Sequence, residues 1–357
     1  MPPSEAGATA TSAAAMDRAF VDEVREATDA QLRTFFSARR AELRADAPEA
    51  ELLAAALEDL TMRGGAKRLR PAVMVAAQRA IRPDARLSDV VHACAGLEVL
   101  QSYLLIHDDW MDGDLERRGG PSVHVMLRAQ VGQDHVGDAL AILAGDLGNA
   151  WAWDLVIESA GHAPSPFAVF AVFSRMQRDV VAGQALDLRA SADVTRMQQL
   201  KTGSYTVDGP LALGATLAGA SPAQLDGLAR FGVPIGEAFQ VKDDLLGTFG
   251  DTALTGKPVG NDLRAGKRTA IVREAETTLG DAQRAPLTHV FGRAAASEPD
   301  VRAAMQMLEQ TGVRARVETR LEALLETSLA ALDAAPIEPR GRALLAGLAR
   351  KIARRDQ

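Results

Sequence analysis

Two apolar helical runs each end in paired aspartates, Asp108-Asp109-Trp110-Met111-Asp112 and Asp243-Asp244-Leu245-Leu246-Gly247, about 130 residues apart. Carboxylates at a helix C-terminus oppose the helix dipole, and adjacent like charges raise one another's pKa. One such end can be a solvated acidic helix terminus, but the opposed dipole argues against a stability role, and a second end of the same kind points to a bound cation. Carboxylate oxygens suit hard divalent ions, and Mg²⁺ is usually held by one or two carboxylates together with the oxygens of a substrate's phosphates. The two acidic segments therefore suggest a diphosphate clamped through metal.

The rest of the chain is built to support helices. Aromatics make up only 4% of the 357 residues, and Ala, Leu, Arg and Glu outnumber the β-branched types, which predicts an all-α protein. No internal linker is visible, so one large domain is expected over residues 16–357, after a disordered Pro/Ser/Ala/Thr tail at 1–15. The formal net charge of −7 offers no overall basic field for nucleic acid or anionic lipid. Cys94, alone of its kind, cannot form an intrachain disulfide, and a reducing cytoplasm fits it. No secretory signal is expected at the start. No transmembrane segment is expected either, because His92, Glu98 and Gln101 interrupt the apolar stretch from Asp89 to His107.

The periodicity predicts helices at about Met16–Arg44, Glu49–Met62, Pro71–Ala80, Ser88–Asp112, Asp138–Ser159, Pro166–Ser191, Val194–Lys201, Pro210–Ala218 and Pro222–Phe249, with several more from Ala270 to Arg355. Pro71 suits a helix's first turn. Gly113–Pro121 and Gly250–Arg268 read as loops, the second long enough to suggest a function. No strand alternation stands out.

Asp108 and Asp112 are four residues apart and share a helix face, so they can grip one ion, while Asp109 lies about 100° round the helix. Cations gather in loops beside glycines: Lys67, Arg68 and Arg70 in GGAKRLRP, Arg117 and Arg118 in ERRGG, Lys201 in KTGS, Lys257 and Lys267 in GKPVGNDLRAGKRT. Glycine lets backbone N–H groups approach an anion, and the guanidinium fork matches phosphate oxygens. One anionic head held by metal and a second held by basic side chains is the simplest substrate set.

In order and spacing, GGAKRLRP, QSYLLIHDDWMDGDLERRGGPSVH, GQALDL, KTGS, FQVKDDLLG and GKPVGNDLRAGKRT resemble the motifs of the trans-isoprenyl diphosphate synthases. The resemblance implies a single bundle of antiparallel helices around a deep cavity, with the two acidic motifs facing each other at its mouth. It implies condensation of isopentenyl diphosphate with an allylic diphosphate, dependent on three Mg²⁺ ions, by a homodimer. Asp108 and Asp112 would ligate two ions with Asp109 in support, and Asp243 the third with Asp244 assisting. Arg117, Lys201 and Lys257 would hold the allylic diphosphate. Lys67, Arg70, Gln101 and Arg118 would hold isopentenyl diphosphate without metal. Lys267 would be a further substrate-binding residue. Gln184, Asp187, Thr202 and Gln240 match polar positions near the reacting carbons.

Two departures stand out. Ala66 replaces a glycine before Lys67, and Gly247 stands where many members of that family carry a third aspartate; Asp251, one turn on, is the nearest substitute. Product length is read from Tyr103, five residues before Asp108 and about 7.5 Å deeper along the helix axis, where the family sets the floor of its elongation pocket. A bulky ring there stops growth, and with Leu104 beside it rather than a second aromatic, the twenty-carbon geranylgeranyl diphosphate is favoured over farnesyl diphosphate. His92, His107 and His124 read as packing or hydrogen-bonding groups. More distant alternatives are a terpene cyclase of the same fold and a non-catalytic partner subunit.

Overall fold

The computed structural model describes residues 5–64, 66–189, 191, 193–250 and 259–353, with side chains from Asp17 onward. It is all-α apart from one two-residue ladder. The helices that matter below are α1 (Glu5–Asp46), α2 (Glu51–Met62), α3 (Leu69–Ile81), α4 (Val91–Asp112), α5 (Val123–Val131), α6 (Asp134–Ala160), α7 (Pro166–Leu188), α8 (Val194–Gln198), α9 (Gly209–Leu217) and α10 (Pro222–Phe249). A π-helical stretch, Gln199–Asp208, joins α8 to α9. The chain divides into two compact units, one of residues 1–175, 209–225 and 337–345, the other of residues 176–208, 226–336 and 346–357.

The first unit is centred on α4 and α6. Phe36, Leu57, Leu60, Met74, Leu97, Leu100, Ile106, Leu127 and Leu155 are fully buried within it, and each such side chain contributes roughly 1.5–3 kcal/mol of burial. Small residues on the facing helices let the axes come close. Gly96 of α4 lies where an added Cβ would meet Ala152 O and Val156 Cγ2 at 3.1 Å. Gly148 of α6 would meet Leu57 and the Cβ of Tyr103 at 3.1–3.3 Å, and a Cβ at Gly145 would fall on the His107 ring. The seam leaves almost no slack between the two helices. Phe35 and Phe36 of α1 meet each other and Trp151 of α6 with edge-on ring contacts. Elsewhere in the unit, Gly214 of α9 abuts the Met74 carbonyl of α3.

In the second unit, buried Phe231 and Ile235 anchor α10, and Ser328 Oγ donates to the Phe231 carbonyl at 2.8 Å. Pro234 sits inside α10 without ending it. The helix Ala270–Thr278 starts from Thr269, whose side chain accepts from the Val272 N–H.

Several boundaries differ from those the periodicity predicts. α3 begins at Leu69, placing Pro71 third in the helix, where its missing N–H is still no loss. α6 begins at Asp134, and α5, nine residues after a Gly-Gly-Pro-Ser run, is too short to show a period. Glu116–Arg117 pairs antiparallel with Gly120–Pro121 inside the expected loop, turning on Arg118 and Gly119, both with positive φ. The Gly250–Arg268 stretch contains a helical turn, Asn261–Arg264. Lys257 and Asp251 lie outside the described residues.

Candidate active site

α4 stops at Asp112 because Gly113 takes the left-handed conformation, φ 69°, and its N–H bonds back to the Asp109 carbonyl. That stop leaves three aspartates in the last turn, and burial separates them. Asp112 is exposed and Asp108 half-buried on the same face, whereas Asp109 is 1% exposed. Asp109 Oδ1 accepts from Arg117 Nε at 2.7 Å and from Arg117 Nη2, while Asp114 takes the same guanidinium at 3.1 Å. Burial pushes the Asp109 carboxyl above the ordinary carboxylate range, and Arg117 opposes the shift. The middle aspartate thus orients Arg117.

The donor set fits Mg²⁺. It consists of carboxylate oxygens, two of them one helical turn apart, and Asp109 Oδ2 is buried with no hydrogen-bond partner among the described residues. No group of three His, Cys, Asp or Glu side chains is gathered among those residues; Mg²⁺ taking one or two carboxylates plus substrate phosphates needs none. Trp110, within the motif, hydrogen-bonds to Asp138, which also receives Arg128 at 2.7 and 2.9 Å.

Behind the acidic turn, His107 Nε2 lies 3.0 Å from the Ile142 carbonyl and its ring packs edge-on against Tyr103, centroids 4.9 Å apart. The histidine therefore has the packing role read from sequence. Tyr103 and Leu104 are half-buried, the former opposite Gly148.

The basic loops of this unit meet the end of α2. Arg118 Nη1 donates to the Leu60 carbonyl at 3.1 Å, Arg68 Nη2 to Thr61 O at 3.0 Å, and Arg63 Nη1 to Arg117 O at 2.8 Å. The Leu60 and Thr61 carbonyls lie in the last turn of α2, where intrahelical donors run out. Arg70 is buried, Lys67 exposed and Gln101 half-buried. Arg68 also forms a buried pair with Glu98 at 2.6 Å and reaches Asp29 at 2.8 Å. Sequence reasoning gave Arg63, Glu98 and Asp29 no place in the site; only Glu98, a charge in an apolar run, carried a signal.

In the second unit, two motifs converge. A Cβ at Gly183 would meet the backbone carbonyl carbon of Leu200 at 2.7 Å, so α7 and the π-helical stretch cross almost backbone to backbone. The crossing brings Lys201 Nζ within 2.6 Å of Asp187 Oδ2, with Gln184 and Thr202 half-buried nearby in sequence. On α10, Asp244 has both oxygens engaged: Gln240 Nε2 donates to Oδ1 and the Ala270 N–H to Oδ2, each at 2.8 Å. A carboxylate at the first turn of a helix is favourably placed. Burial nevertheless pushes its pKa up to about 6, with Asp262 and Asp243 adding to the rise against those two donors. Asp243 beside it is half-buried.

Gly247 has a structural reason. A Cβ there would fall on Asp262 Oδ2, with Asp262 Cγ at 2.6 Å. The Asp262 carboxylate, 3.6 Å from the Lys267 ammonium, occupies the space that a side chain at 247 would need.

Comparison with known proteins places the chain in a family. A family model for polyprenyl synthetases matches residues 50–308. A short chain isoprenyl diphosphate synthase of Methanocaldococcus jannaschii is 33% identical over 251 residues, covering 69% of this chain and 73% of the relative. A geranylfarnesyl diphosphate synthase of Aeropyrum pernix is 33% identical over 285 residues, 77% of this chain and 85% of its own. Among solved structures, the geranylgeranyl pyrophosphate synthase of Corynebacterium glutamicum, complexed with isoprenyl diphosphate and magnesium, superposes with a TM-score of 0.80 at 33% identity, covering 94% of this chain and 99% of that one.

Proposed function

The chain belongs to the polyprenyl synthetase family, and from that premise we propose that it is a geranylgeranyl diphosphate synthase, joining isopentenyl diphosphate to an allylic diphosphate. The short-chain prenyltransferase class follows from its relatives. The observation that carries the rest is the division of labour in the last turn of α4. Asp108 and Asp112 share a face, while buried Asp109 is spent on Arg117.

In this reading Asp108, Asp112 and Asp243 hold three Mg²⁺ ions with the substrate. Bound Mg²⁺ supplies Lewis-acid stabilisation of the charge that develops on the leaving diphosphate. Arg117, aimed by Asp109, and Lys201, aimed by Asp187, hold the allylic diphosphate, together with Lys257 and Lys267. Preorganised cations act at the charge that grows as the allylic C–O bond breaks, which is where electrostatic catalysis acts most strongly. Lys67, Arg70, Gln101 and Arg118 hold isopentenyl diphosphate, whose double bond attacks the allylic carbon; loss of a proton then gives a chain five carbons longer. Gln184, Thr202 and Gln240 flank the reacting carbons with Asp187, and Asp244 fixes Gln240.

One domain over residues 16–357 acts as a homodimer in the cytoplasm. Supporting the dimer, Leu143 and Ile157 on α6 and Phe167 at the start of α7 expose large apolar side chains. α6 is also the one described helix long and apolar enough to cross a membrane, and much of it is buried. Supporting a reducing compartment, Cys94 is free and buried.

The test is incubation with Mg²⁺, isopentenyl diphosphate and dimethylallyl, geranyl or farnesyl diphosphate in turn, followed by product analysis. A twenty-carbon product is expected. A fifteen-carbon stop overturns the length reading in favour of a farnesyl diphosphate synthase, and no elongation with any primer overturns the activity.

A further inference from the structure

Among the described residues, two that are not glycine have a left-handed backbone, and both are arginines of the basic loops: Arg68, φ 46°, and Arg118, φ 52°. A side chain in this region is strained and persists only where its surroundings fix it. Here the fixing groups are visible. The Arg68 side chain is 3% exposed and donates to Asp29, Glu98 and the Thr61 carbonyl at 2.8, 2.6 and 3.0 Å. Arg118 donates to the adjacent Leu60 carbonyl. Each loop is therefore tied by one guanidinium to the same helix end.

That helix end does not balance the charge by itself. Arg118 is drawn below the ordinary guanidinium pKa, first by burial and then by the repulsion of Arg68, Arg70 and Arg117, with the attraction of Glu98 opposing them. Glu98 is 3% exposed, sits on α4 ten residues before Asp108, and hydrogen-bonds Arg68 through Oε2; its Oε1 has no hydrogen-bond partner among the described residues. Ser102 Oγ, which donates to the Glu98 carbonyl, is also bonded to Thr61 Oγ1 at 2.8 Å, so the carboxylate's helical turn is fastened to α2 as well.

We propose that Glu98 is a positioning residue for isopentenyl diphosphate: as the buried counter-ion shared by Arg68 and Arg118, it holds the GGAKRLRP and ERRGG loops against α2, so that Lys67, Arg70 and Arg118 are gathered before the diphosphate arrives. The inference rests on the assignment of those three cations to isopentenyl diphosphate. Without the carboxylate the guanidiniums repel one another, and the substrate must do the work of assembling them, which weakens its binding.

The experiment is steady-state kinetics with each substrate varied independently. Glu98→Gln keeps the shape and an acceptor for Arg68 but removes the charge. The KM for isopentenyl diphosphate is expected to rise about tenfold, with the KM for the allylic diphosphate and kcat each within about threefold of the parent. A merely structural role would lower Tm and kcat and leave both KM values alone; that result overturns the proposal. Lys67→Ala serves as the reference. If it raises the isopentenyl diphosphate KM and Glu98→Gln does not, positioning by Glu98 fails while the pocket stands. If neither variant changes that KM, the pocket assignment fails, and the proposal with it. Should Glu98→Gln not fold, the pair Arg68→Gln/Glu98→Gln removes both members of the buried ion pair together. The same rise is expected there, and an unchanged KM overturns the proposal.

Discussion

Placing an aspartate at position 247 should destabilise the protein. A Cβ at Gly247 falls on the Asp262 carboxylate, which must turn away from it, and Asp262 is largely buried, with a side chain 15% exposed. Asp has a better helix propensity than Gly by roughly 0.3 kcal/mol, a small gain. Against it stands repulsion between two carboxylates: at about 5 Å and an effective dielectric of 20 this is roughly 3 kcal/mol, reduced by solvent and by Lys267 to about 1–2. The helix-end position and the like charge of Asp243 one turn earlier add about 0.5–1.5 kcal/mol. Gly247→Asp should therefore cost about 1–3 kcal/mol, read by urea denaturation in EDTA. Gly247→Ala, which lacks the charge, should cost less than 1 kcal/mol because improved helix propensity offsets the displacement of Asp262. Adding Asp262→Asn to Gly247→Asp should recover about 1–2 kcal/mol as a coupling term. A Gly247→Asp protein as stable as the parent without metal, or zero coupling to Asp262, would refute the reasoning.

Other outcomes are fixed by the same geometry. Asp244 has a folded pKa of about 6, above the ordinary 3.8, so the folded state holds its proton more tightly than the unfolded chain does. Its charge thus subtracts stability above pH 6, and the loss disappears as the pH falls through 6 toward 4. Asp244→Asn should raise the metal-free Tm at pH 8, by the equivalent of about 1–2 kcal/mol, and leave it unchanged near pH 4; a gain that grows on acidification would contradict this. Gly145→Ala should displace the His107 ring from the Ile142 carbonyl, at a cost of about 1–3 kcal/mol, and reduce kcat because Asp108 is the next residue. Circular dichroism melts and turnover measured together would show both effects. Tyr103→Ala should let products grow beyond the parent's length in product mass analysis, and an unchanged product would remove Tyr103 from the pocket floor.

The sequence made the helical class, both acidic ends and nearly every cation of the site legible, because these are local: a charge at the end of an apolar period needs no partner to be seen. What it concealed depends on which way a side chain turns. Asp109 differs from Asp108 by one position, yet one is buried on Arg117 and the other is not. The meeting of Asp187 with Lys201 depends on Gly183 allowing two backbones to cross, which no period records. Arg63, Glu98 and Asp262 read as ordinary charges because their partners lie 54, 30 and 15 residues away in the chain. The π-helical stretch was missed for another reason: its polar KTGS start looks like a loop, and a wider turn has no 3.6-residue signature.

The glycines along α6 have one more consequence. Because Gly145 and Gly148 admit His107 and Tyr103 with no slack, α4 cannot slide or rotate against α6 without collision. The acidic turn is therefore a fixed zero mark, and the residues behind it are graduations on a ruler, each 1.5 Å of rise below the last. On the proposed function, exchanging one side chain at a time along that ruler changes where a growing chain stops, while the acidic end stays where it is.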